Sequence, residues 1–172
     1  MRASIALMLA VILSGTTGCN ETDPAGGGPT GDFAYDLVFT SDCIDRLQPD
    51  GATMVEPPRE CCEYSYDGED MLTIRHVDFA LNCCPGEITA TVSLDEDVIS
   101  IIETEGPGSA PCDCLCLYIT KIEITGISPG SYNIIFDDTY THGGPALQAD
   151  IDLLSEPAGL FCEDREFYPW GL

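Results

Sequence analysis

Two cysteine knots constrain this chain more than any other feature. Cys83-Cys84-Pro85-Gly86 and Cys112-Asp113-Cys114-Leu115-Cys116 hold five of its ten cysteines, and the most regular strand pattern runs between and just after them. If Cys112 to Cys116 is extended, its three thiols share one face of a sheet, and Asp113 and Leu115 take the other. How those sulfurs are satisfied decides what the chain can become.

The N-terminus bears on that question because it sets the redox compartment. Arg2 precedes an unbroken apolar run from Ile5 to Leu13, which is too short for a bilayer span of roughly 20 residues. Small residues follow, then Cys19. A single cysteine after such a run, preceded by Gly18, resembles a bacterial lipobox, with Thr16 where a leucine is usual. The resemblance implies a lipoprotein signal peptide over residues 1–18 and a lipidated Cys19 held in the membrane. Residues 19–32 then read as a lipidated cysteine and flexible linker, since Gly26 to Gly28, Pro24 and Pro29 come with no apolar cluster. Residues 33–172 are left for one domain, long enough for a substantial core.

Cysteine in an exported domain of this size usually means disulfides. With Cys19 lipidated, the candidates are Cys43, Cys61, Cys62, Cys83, Cys84, Cys112, Cys114, Cys116 and Cys162, an odd set that leaves one thiol over. Cα atoms two apart on a strand are roughly 6.6–7 Å apart. That is wide for sulfurs sharing one tetrahedral metal, and at the outer limit for a disulfide within the triplet. Each triplet sulfur is more easily met from another segment. Adjacent Cys83 and Cys84 are natural donors that would serve separate bridges. The alternative is an all-sulfur copper or zinc site drawn from Cys84, Cys114 and Cys116. A redox-active pair is a third reading, with no Cys-x-x-Cys at a helix N-terminus to support it.

The charge excludes other classes. The sequence holds 30 acidic residues against 6 basic ones, and losing Arg2 with the signal takes the net charge to about −25. Nucleic acid and anionic lipid headgroups need Lys and Arg clusters that are missing here. The acidity reads as a solvated, repulsive surface. His76 lies inside a strand pattern and reads as a structural residue. His142 with Asp137 and Asp138 forms a loop able to take a divalent cation, although paired acids in turns are usually just solvated. No nucleophile elbow, phosphate-binding glycine loop or His-Glu metalloprotease motif is present, so the chain reads as no enzyme.

Alternating apolar residues predict about seven strands. They are Phe33–Thr40 with Phe33, Tyr35, Leu37 and Phe39 on one face, Met71–Leu81, Glu87–Leu94, Val98–Glu103, the cysteine strand through Thr125, Tyr132–Asp137, and a last strand around Leu147–Leu153. Residues 41–70, rich in turn signals, read as a long loop pinned through Cys43, Cys61 and Cys62, with room for a short strand. Turns every 8–12 residues and no amphipathic helix predict an all-β, antiparallel β-sandwich stapled by disulfides.

Ile127-Ser128-Pro129-Gly130-Ser131-Tyr132, between two strands, resembles the tyrosine corner of immunoglobulin-like and fibronectin type III-like domains. That resemblance implies that Tyr132 hydrogen-bonds back across the connection. Asn82-Cys83-Cys84 followed by Cys112-x-Cys114-x-Cys116 resembles a group of uncharacterised bacterial lipoproteins and exported proteins over roughly residues 71–137. It implies kinship and no activity. The expectation is a lipid-anchored, extracytoplasmic module of a bacterial cell envelope with a structural or binding role, whose partner is a protein or a glycan. The alternative is a thiolate protein handling Cu(I) or Zn.

Overall fold

The computed structural model describes residues 32–44, 59–106, 112–137, 140–141, 143–166 and 169. Cys19, Asp138 and His142 lie outside them, and with them the lipidation site and the expected Asp137-Asp138-His142 cation loop. Among the described residues no helix is long and apolar enough to cross a membrane.

Among the described residues nine strands form, in chain order: β1 (Ala34–Thr40), β2 (Arg59–Tyr66), β3 (Met71–Asn82), β4 (Ile88–Asp95), β5 (Val98–Glu105), β6 (Leu115–Thr125), β7 (Ser131–Phe136), β8 (Gln148–Asp152) and β9 (Ala158–Asp164). They make two sheets, ordered β1-β6-β3-β2-β9 and β4-β5-β7-β8, which pack as a sandwich. Every pairing is antiparallel except β5 with β7. The fold class is therefore the all-β, disulfide-stapled sandwich that alternation predicts.

Alternation builds the core directly. Leu72 and Ile74 on β3 and Ile122 and Ile124 on β6 face inward from one sheet. Ile99 and Ile101 on β5 and Ile134 and Phe136 on β7 meet them from the other, all fully buried. Fully burying each such side chain contributes about 1.5–3 kcal/mol.

Turn chemistry closes the hairpins. Asp67 Oδ1 accepts the amides of Glu69, Asp70 and Met71 between β2 and β3, the local bonding that favours Asp in turns. Between β6 and β7 the chain changes sheet, and Tyr132 Oη donates to the Ser128 carbonyl at 2.9 Å, the bond its sequence context implies. Tyr66 Oη reaches the neighbouring Ile127 carbonyl at 3.0 Å, so two tyrosines hold this corner.

Four expectations are corrected. The short strand allowed for within residues 41–70 is a full eight-residue strand, β2, held through Cys61 and lying between β3 and β9. β9, which carries Cys162, is a second strand beyond the expected seven. Phe39 does not share the face of Phe33, Tyr35 and Leu37, because a bulge at Val38 shifts the register from Leu37↔Ile122 to Phe39↔Lys121 and leaves Phe39 51% exposed. Finally, Cys112 and Cys114 precede β6 rather than lie within it, so the triplet is not one extended face.

β3 has a bulge of its own. Asp78 is the inserted residue, at a left-handed φ of 62°. The inward parity switches there, from Leu72, Ile74 and His76 to Phe79 and Leu81.

Candidate binding groove

The cysteines resolve into four bridges: Cys43–Cys116, Cys61–Cys162, Cys83–Cys114 and Cys84–Cys112. Among the described cysteines Cys62 is the leftover thiol, buried in the main core. Cys83 and Cys84 do serve separate partners in the second knot. The asparagine before them explains how. Asn82 Oδ1 accepts the amides of Cys84 and Cys112, and its Nδ2 donates to the Cys112 carbonyl at 2.7 Å. One side chain thus clamps both knots in register before any sulfur–sulfur bond is counted. Cys84, Cys114 and Cys116, the expected metal set, sit in three different bridges. The sulfurs that do converge, within 4.8 Å of one another, are those of Cys83, Cys84 and Cys112.

Two of these bridges wall a groove of about 910 Å³, near the top of the range of about 300–1,000 Å³ usual for ligand sites. It opens between β1 and β4, the edge strands on one side of the sandwich. Tyr118 and Ile88 line it and belong to a small second core with Phe79, Leu81 and Cys116. Tyr118 Oη donates to the Asn82 carbonyl, so this residue is tied to the knot. Cys43 lines one wall and Cys83 the other, and their bridges run to Cys116 and Cys114, at or just before the start of β6. Both walls are thereby tied to one strand. Asp36, Asp42 and Glu87 give the lining its charge, and no Lys, Arg or His is among the lining residues.

A second constellation lies inside the sandwich. His76 on β3 donates from Nδ1 to Glu103 at 2.5 Å and from Nε2 to Glu60 at 2.9 Å. Thr120 Oγ1 donates to Glu103, and Arg165 donates from Nε to Glu60 at 2.6 Å and from Nη1 to the Pro145 carbonyl at 2.7 Å. Glu60, His76, Glu103, Thr120 and Arg165 are all buried. Burial alone would lower the His76 pKa, but Glu103 and Glu60 outweigh it and raise it to about 10. The ring is a cation at neutral pH, held between the two carboxyl groups, with the Arg165 guanidinium on the other side of Glu60. The Cys62 thiol is pushed far up, first by burial and then by Glu103 and Glu63, so it is inert.

His76 is the structural residue the sequence suggests, with both nitrogens engaged. Its partners were missed, although a signal existed: Glu60 falls in phase with Cys62, Tyr64 and Tyr66, and Glu103 with Ile99 and Ile101. A charge at an inward position demands a partner. The groove had no such local signal.

The fold and the groove define a disulfide-stapled β-sandwich with an acidic cleft beside two sheet edges. Comparisons with protein-family models, curated proteins and solved structures found no match to this chain.

Proposed function

We propose that this protein is a lipid-anchored, extracytoplasmic binding module of the bacterial cell envelope, and that the β1–β4 groove is its ligand site. The observation that carries the reading is that the Cys43–Cys116 and Cys83–Cys114 bridges fix the two walls of that groove. Four bridges suit an oxidising compartment. Cys19 and the glycine-rich linker supply a tether that lets the domain reach a partner from the membrane surface. Pairing eight cysteines while burying the ninth beyond reaction leaves a preformed binding surface rather than a catalytic thiol.

The test is site-specific photo-cross-linking in living cells. A benzophenone amino acid at Tyr35 or Ala90 should give one discrete adduct, and the same residue at Leu160 on the far edge should give none. Equal adducts from all three, or none from any, would refute the groove. Cys19→Ser should release the domain into the soluble fraction; retention in the membrane would refute the anchor.

A second reading rests on the convergence of the Cys83, Cys84 and Cys112 sulfurs. Reduced, they form a soft thiolate cluster for Cu(I) or Zn. Elemental analysis of chelator-free protein with a thiol count decides it: stoichiometric metal with three or more thiols favours this reading, and one thiol without metal retires it.

A further inference from the structure

We infer that the β1–β4 groove takes an extended, basic peptide segment of another protein, which adds as a strand to one of its free edges. This rests on the groove being the ligand site, and three observations carry it further.

The first is the edges themselves. Among the described residues β1 pairs only with β6, and β4 pairs only with β5. Both border the groove, through Tyr35, Asp36 and Leu37 on β1 and Ile88, Thr89 and Ala90 on β4. An edge strand presents a row of backbone donors and acceptors to whatever lies beside it. A peptide in extended form satisfies that row, with affinity from the main chain and specificity from alternate side chains.

The second is charge. The lining carries Asp36, Asp42 and Glu87 and nothing basic, inside a chain of net charge −24. Lys and Arg side chains on the incoming strand meet this field, and an acidic ligand is repelled by it. A second copy of the chain brings the same negative charge, so edge-to-edge self-association is opposed while a cationic strand is drawn in.

The third is apolar area where strand addition needs it. Tyr35, on the groove wall, is about two-fifths exposed, and Ile88 lines the opposite wall. The Val38 bulge ends the regular edge, so the run open to a β1 partner is Ala34 to Leu37. A short strand of alternating basic and β-branched residues matches that run: its apolar side chains cover Tyr35 and the Ile88 side of the groove while its cations meet the carboxylates.

The test uses the full exported chain, oxidised and purified in detergent, and an eight-residue peptide alternating Lys and Val. Its controls are the Glu/Val counterpart and a Lys/Val copy N-methylated on every residue, which has the same charge but cannot donate to a ladder along either edge. By calorimetry the Lys/Val peptide should bind, weaken with added salt, and bind at least 10-fold more tightly than either control. The triple variant Asp36→Asn, Asp42→Asn, Glu87→Gln should lose at least 10-fold for the same peptide while its melting temperature and thiol count are kept. Equal binding of the methylated peptide would overturn strand addition, leaving mere attraction to a polyanion. Equal binding of the Glu/Val peptide, or an unaffected triple variant, would overturn the charge argument. If groove cross-links form in cells but no Lys/Val peptide binds, this inference falls and the groove survives as a binding site; if no cross-links form, the groove itself falls.

Discussion

Replacing Arg165 by Met tests the buried charge chain most directly. Arg165 is 5% exposed, lies just past β9, and bonds Glu60 through its guanidinium while holding the Pro145 carbonyl. Methionine keeps much of the aliphatic stem but removes the cation. Glu60 then keeps His76, yet the interior now holds two carboxylates against one imidazolium. Breaking a buried pair by deleting one partner costs about 3–5 kcal/mol, because the remaining charge stays buried. Against a total stability of about 5–15 kcal/mol that is a large fraction. The double variant Glu60→Gln, Arg165→Met removes both charges and leaves His76 paired with Glu103. It should be more stable than the sum of the two single losses by about 1–3 kcal/mol, as expected for coupled neighbours. The assay is urea unfolding with disulfides intact, followed by circular dichroism, with unchanged slopes taken as the sign that only stability moved. An Arg165→Met loss under about 1 kcal/mol, or strict additivity in the double variant, would show that the chain carries no such coupling and would refute the argument.

His76 should make stability pH-dependent. Its folded pKa is raised to about 10, so its contribution is complete below the unfolded value near ~6.5 and is lost as pH climbs to about 10, at about 1.4 kcal/mol per unit. Nitrogen NMR should find the ring still protonated at pH 8, and a neutral ring there would contradict this. Thiol titration of the lipidated chain should count one reactive cysteine after denaturation and none when native; two or more would break the four-bridge assignment. Gly159→Ala should cost about 1–3 kcal/mol by overpacking, because a Cβ there would sit 2.6 Å from Tyr64 Oη; an unchanged urea midpoint would show that the tyrosine moves aside freely.

How much of this was legible depended on which residues carried the signal. The seven expected strands were visible because Ile, Val and Leu alternate through them, and the sandwich followed from their spacing. β2 could be read only as room for a short strand, for a physical reason: its inward residues are Glu60, Cys62, Tyr64 and Tyr66, so the buried face of an inner strand looks half polar. β9 is an edge strand that alternates between exposed and half-buried, and so gives little contrast. The bulge at Val38 cannot be read from a pattern that looks continuous through it. Bridge partners for Cys83 and Cys84 were foreshadowed by their adjacency, whereas Cys61 with Cys162 needed the β2–β9 register. The groove required knowing that β1 and β4 end up side by side, and long-range pairing of that kind leaves no trace in local sequence.

The Cys61–Cys162 staple has a consequence in time rather than in space. A chain emerges N-terminus first, and three of the four bridges close among residues 43–116, while this one spans 101 positions and waits for β9. Until β9 arrives, β2 is a bare rim, and Cys61 stands unpaired beside Cys62. Either of these neighbours is then open to oxidation, and only one choice leads home. Because adjacent residues on a strand point to opposite faces, Cys62 turns into the core, across from His76 in the β2–β3 register, while Cys61 stands opposite Cys162. In the folded chain the core thus hides the decoy thiol and leaves Cys61 as the one of the two that faces Cys162.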